Sequence, residues 1–234
     1  MTTLATGEPA DPSWRVTLHF HPDRLAAGTP ILERMARDGA YDDGPPAARP
    51  KYGSLNFRRR LAGGSPRFGS AYLRLAANTL SRTTFCYPDS ALEPRHFGVT
   101  SRLSTLIALA EKDDKDLLDD YIEAHVHGVV DLTGDVEALV LDPCYRGTPV
   151  QAAASRLACP VEWHGGFTLT TTELRRHPGY RGPEFVALGL ALARHGVLDP
   201  GVIGNASRTG RYHEQHLKRV WHYVARFGTP GIQC

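Results

Sequence analysis

Glu123, His125 and His127 stand two residues apart in the segment YIEAHVHG, and a strand there sets all three side chains on one face. One carboxylate and two imidazoles in that pattern can hold a metal ion, move a proton, or line a polar strand face turned to water. Gly128 closes the triplet and permits a bulge or a close backbone approach. A second pair recurs in WRVTLHFH, where Trp14, Val16, Leu18 and Phe20 share one face and Arg15, Thr17, His19 and His21 the other. Imidazoles at i and i+2 of a strand reach one ion together, so His19, His21, His125 and His127, with Glu123, suffice as ligands for zinc or a similar metal. A metal-dependent hydrolase is therefore one reading. The large parallel barrels that open with His-x-His need a regular alternation of strands and helices, which this chain lacks.

The elements that must position these residues follow from composition and turn signals. Tyr121 to Val130 and Val136 to Leu141 read as strands, separated by the turn residues Thr133, Gly134 and Asp135, a hairpin at the centre of the chain. Residues 1–13 are small and polar and read as a disordered lead-in. Arg24 to Asp38 reads as a helix with Leu25, Ile31, Leu32 and Met35 as its stripe, and Tyr41 to Pro50 as a loop. In the next stretch Gly53, Gly63, Gly64 and Gly69 allow conformations or approaches that a side chain would block, and Arg67–Leu75 and Arg82–Tyr87 read as strands. Ser101 to Lys112 reads as a helix. Beyond Pro143 helical patterns dominate: Thr148–Leu157, Thr171–His177, Pro183–His195 and Arg211–Phe227, the last stopped by Gly228, with a short strand at Pro160–Trp163. The expected fold class is α+β: a mixed or antiparallel sheet core with flanking helices over residues 14–143, and a mainly helical C-terminal region, 144–234, packed on it.

At 234 residues and 41% apolar content the chain can bury a core unaided. Its 27 basic and 25 acidic side chains leave a formal charge of +2, too little for a global field toward nucleic acid or an anionic membrane. Arg58, Arg59, Arg60 and Arg67 form the strongest local cationic patch, fit either to meet phosphates or to face solvent. Cys86, Cys144, Cys159 and Cys234 show no C-x-x-C spacing and read as reduced thiols. No signal-peptide pattern or membrane-length apolar run is present, so the expected location is the cytoplasm.

Through RPKYGSLN, GSPRFGSAYLRL, RTTFCYPDS and YIEAHVHG, and again through VEALVLDPCYRGT and LKRVWHYVARFG, the chain resembles a bacterial family, domain of unknown function 3626. Its N-terminal part is also similar to ADP-ribosyltransferase-like modules of phage capsid-associated proteins, in the motifs Tyr-Gly, Arg-Thr-Thr, Asp-Ser and Glu-x-Gln. That likeness implies NAD as substrate, with transfer of ADP-ribose to an unidentified acceptor or to water. It implies that Glu123 stabilises an oxocarbenium-like ribose, with His125 at the second motif position. It further implies that Arg15, His19 or His21 holds phosphates or a ribose hydroxyl, that Tyr52 or Phe85 lies against the nicotinamide, and that Thr83 or Thr84 lines the same pocket. The chain departs from the pattern twice: His125 stands where Gln is usual, and Tyr41 passes directly to Asp42 and Asp43 where relatives carry a long segment. The second departure keeps a third reading open, an inactive nucleotide-binding module.

Overall fold

The structure, a computed structural model, describes residues 11, 13–25 and 49–228. Beyond Leu25, the helix expected over Arg24–Asp38 lies outside the described residues, as do Cys234, the loop from Tyr41 to Ala48, and the lead-in except Asp11 and Ser13. The fold is α+β, as the sequence pattern predicts. Among the described residues eight strands form one mixed sheet: β1 (Val16–Phe20), β2 (Lys51–Leu55), β3 (Ala71–Leu75), β4 (Thr83–Tyr87), β5 (His96–Val99), β6 (Ile122–Val126), β7 (Val136–Leu141) and β8 (Val161–Trp163). Their order is β5-β4-β6-β2-β1-β3-β7-β8. The pairs β1/β2, β2/β6, β4/β6 and β4/β5 are antiparallel, and β7/β8 is parallel.

The central hairpin is overturned. Both edges of β6 are occupied, by β2 and β4, so β7 cannot pair with it despite being next in sequence. β6 is also shorter than Tyr121–Val130: it ends at Val126, and Gly128 then takes φ +75°. Likewise Arg67–Leu75 is not one strand, because Pro66–Phe68 forms a 3-10 turn and the strand begins at Ala71. Gly69 between them has φ +153°, and a Cβ there would sit 2.1 Å from the carbonyl oxygen of Phe20. At Gly53 a Cβ would lie 2.7 Å from the Thr17 carbonyl oxygen, so glycine is what lets β2 lie against β1.

The described chain divides into two compact units, and the division falls within β1, β3 and β7. Of the described residues, the first holds 11, 13–18, 49–65 and 73–137. Its one α-helix among the described residues, α1 (Leu103–Lys112), buries Leu103, Leu106 and Ala110 at three-and-four spacing, and Phe85, Ile122, Ala124 and Val126 are buried in the same unit. The second holds 19–25, 66–72 and 138–228. Its helices are α2 (Pro149–Ala154), α3 (Thr171–Leu174), α4 (Pro183–Leu192), α5 (Pro200–Arg208) and α6 (Glu214–Phe227). Proline opens α2, α4 and α5, where no intrahelical N–H is needed. α6 buries Leu217, Val220, Trp221 and Val224 and stops at Gly228, as its spacing predicts. A two-stranded ribbon, β9 (Leu169–Thr170) with β10 (Val197–Leu198), completes this unit. No helix among the described residues is long and apolar enough to cross a membrane.

Candidate functional site

Antiparallel register builds the site. Across β2, β6 and β4, Tyr52 pairs with His125 and His125 with Thr84, while Ser54 pairs with Glu123 and Glu123 with Cys86. Directly paired residues project to the same face, so these side chains make two adjacent rows on one side of the sheet. Ile122, Ala124 and Val126 project to the other side and are fully buried, which fixes the register of β6.

Within the rows, Glu123 is held at both oxygens. His125 Nε2 lies 2.6 Å from its Oε1, and Ser90 donates to its Oε2 from the hydroxyl at 3.1 Å and the backbone N–H at 3.3 Å. Ser90 is placed by the turn before it: Asp89 accepts from the Ala91 N–H at 3.1 Å and from the buried Tyr121 hydroxyl. The Tyr52 ring lies 4.6 Å from the His125 ring, tilted by 51°. Beside them Thr84 Oγ1 is 2.8 Å from His127 Nε2, and Arg82 bonds the His127 carbonyl oxygen and pairs with Asp135 at 2.6 Å.

Electrostatics follow from these contacts. Burial pushes the Glu123 carboxyl up, but the hydrogen bonds from His125 and Ser90 outweigh it and hold the group below the ordinary carboxylate value, hence ionised at neutral pH. His127 is depressed, by burial first and by the neighbouring His125 second. Cys86 Sγ is 3.9 Å from Glu123 Oε1, and burial, with the charges of Glu123 and Asp89, pushes the thiol up to about 12. Cys86 is thus no nucleophile at neutral pH.

The remaining expected site residues have other partners. Phe85 pairs with Ala124 and Thr83 with Val126, so both sit on the opposite face; Phe85 is in the core and Thr83 Oγ1 donates to the Thr79 carbonyl at 2.7 Å. Arg15 joins Arg74 on Glu137, at 2.7 and 3.1 Å. His19 and His21 belong to the second unit: His19 Nδ1 is 3.0 Å from the Gly69 carbonyl oxygen with its ring 5.1 Å from Tyr72, and His21 meets Trp221 edge-on. Burial above all drives His19 down to about 3, so it is neutral. The arginine run is engaged as well. Arg58 and Arg60 both bind Asp120, each at 2.5 Å, and Arg59 pairs with Asp11 at 2.8 Å.

The structure thus brings together Glu123, His125, Tyr52 and Thr84, all named from sequence, and sets beside them Ser90 and Cys86, which were not. The signal for Ser90 was the Asp-Ser motif at the end of β4, which carried the likeness to the ADP-ribosyltransferase-like modules but was given no site role. The signal for Cys86 was period-two spacing from Thr84. Cys86, Glu123 and His125 are also a set whose donor atoms lie within 4.8 Å of one another. Thiolate, carboxylate and imidazole are a donor set that suits zinc.

Compared with known families, residues 42–112 and 100–227 match the family described as protein of unknown function, DUF3626. No curated protein matches the chain.

Proposed function

We propose that this chain, which belongs to the DUF3626 family, cleaves NAD at the bond between nicotinamide and ribose and passes ADP-ribose to an acceptor or to water. The observation that supports this reading is the gathering of four sequence motifs in one unit around one carboxylate. Tyr52-Gly53, Arg82-Thr83-Thr84, Asp89-Ser90 and Glu123-Ala124-His125 come from β2, β4, the turn after β4, and β6, and side chains from all four reach Glu123, His125 or the adjoining His127. When the C1′–N bond breaks, its electron pair leaves on nicotinamide and positive charge develops on the ribose. An ionised carboxylate already fixed in position stabilises that charge without reorganising. The acceptor oxygen or nitrogen then bonds to C1′ and releases its proton. His125 replaces Gln at the second motif position and retains a ring nitrogen able to orient Glu123 or to receive that proton.

A metal-dependent hydrolysis is the second reading, favoured by the Cys86, Glu123 and His125 donor set, the group found among the described residues, rather than by the two His-x-His strands. Nicotinamide release from NAD by the purified chain, compared with Glu123→Gln and with zinc content measured on the same sample, separates the readings. Release lost in the variant supports NAD cleavage. Stoichiometric zinc without release favours the hydrolase, and NAD binding with neither favours an inactive binding module.

A further inference from the structure

We propose that the outer edge of β5, with the groove between it and α1, docks an extended acidic segment of a partner protein by strand addition. β5 ends the sheet and, among the described residues, pairs only with β4, so the backbone N–H and C=O groups on its other edge face outward. Its side chains are unusually open for an apolar strand: Phe97 is 70% and Val99 50% exposed. Beside the edge lies a groove of about 240 Å³ lined by Arg95, His96 and Phe97 and, from α1 and the turn before it, by Arg102, Leu106 and Leu109. At Gly98 a Cβ would sit 3.2 Å from Arg102 Cβ and from Leu106 Cδ1, so glycine lets α1 pack close on one face of β5.

Size and charge choose the occupant. The groove is below the roughly 300 Å³ at which small-molecule sites begin, yet ample for one apolar side chain of an added strand. No acidic residue lines it, and neither Arg95 nor Arg102 makes an ion pair or side-chain hydrogen bond among the described residues. Carboxylates on the incoming segment would supply the missing partners in charge-assisted bonds. Edge-to-edge pairing of two copies would instead crowd these cations into one seam. Phe97 and Val99 pair with Cys86 and Thr84 and so share the sheet face of Glu123, but the docking is read by peptide binding alone and is tested separately from the NAD reading.

The test is fluorescence anisotropy with a labelled peptide of alternating Glu and Val, beside its Lys and Val counterpart. The acidic peptide is expected to bind at least about tenfold tighter, which corresponds to about 1.4 kcal/mol. Arg95→Glu with Arg102→Glu should reverse that preference, while Arg156→Glu, at an exposed site in the second unit, should leave it unchanged. Amide exchange should slow at residues 96–99 when the acidic peptide is bound. Absence of saturable binding to the folded protein, equal loss in the Arg156→Glu control, or self-association through β5 in sedimentation would overturn the proposal.

Discussion

Tyr52 stands directly opposite His125 in the β2–β6 ladder, and their rings are 4.6 Å apart. One ring nitrogen of His125 is committed to Glu123 at 2.6 Å, so the tyrosine ring packs the imidazole that orients the carboxylate. Tyr52→Phe should keep the packing and most of the activity. Tyr52→Ala should lower nicotinamide release by tenfold or more and stability by about 1 kcal/mol, read by a urea melt. Equal activity in the two variants would remove Tyr52 from any positioning role.

Cys86 separates the two chemical readings. With its thiol pushed up to about 12 it is neutral and takes no part in NAD cleavage, so Cys86→Ser should leave nicotinamide release within about threefold of wild type. The same change should abolish tight zinc binding if the Cys86, Glu123 and His125 set holds a metal. Metal analysis and the NAD assay on one preparation check both outcomes.

Asp120 carries two guanidinium groups just before β6 begins, Arg58 and Arg60 each at 2.5 Å. Its side chain is 9% exposed, so Asp120→Ala leaves two cations short of a partner in a largely covered place. The expected loss is about 2–3 kcal/mol in denaturant unfolding. A change under about 0.5 kcal/mol would mean that solvent screens these pairs fully.

His222 in α6 is 2% exposed, and neither ring nitrogen has a hydrogen-bond partner among the described residues. Burial first, then the charges of Arg181, Arg67, Lys218 and Arg219, drive it from 6.5 to about 3. Because the folded-state value lies below the unfolded one, the unfolded chain takes up this proton first, and stability falls as pH drops from about 6.5 toward about 3. His19, also lowered to about 3, acts in the same sense and the same window. His222→Leu should therefore stabilise the protein by about 1–3 kcal/mol at neutral pH and flatten its decline in acid, seen as melting temperature against pH. A variant less stable than wild type at pH 7 would contradict this.

Legibility from sequence followed the physics of each feature. Period-two alternation placed β1 to within two residues, the β-branched and apolar run bounded by turn residues placed β7, and the three-and-four stripe with Gly228 placed α6, because each signal is local. The hairpin failed because strand partners are chosen by long-range pairing: β6 takes β2, some seventy residues earlier, as readily as a sequence neighbour. β5 and α5 went unread; HFGV is too short to show a period, and PGVIGNASR mixes glycine and asparagine with its few apolar positions. Glu123 and His125 were visible as a spaced pair on one strand face. That Ser90 supplies the other half of the grip on Glu123 was not, since it depends on a turn folding back over the sheet.

The most direct test is steady-state nicotinamide release by wild type and Glu123→Gln, with far-UV circular dichroism on both samples. Glutamine keeps the size of the side chain and removes the charge that is asked to stabilise the ribose cation. The account predicts that kcat falls by about 10²–10³ while KM stays within a few-fold, since the interaction is made chiefly in the transition state. Wild-type release that persists unchanged in a folded Glu123→Gln protein, or no release from folded wild type, would contradict it.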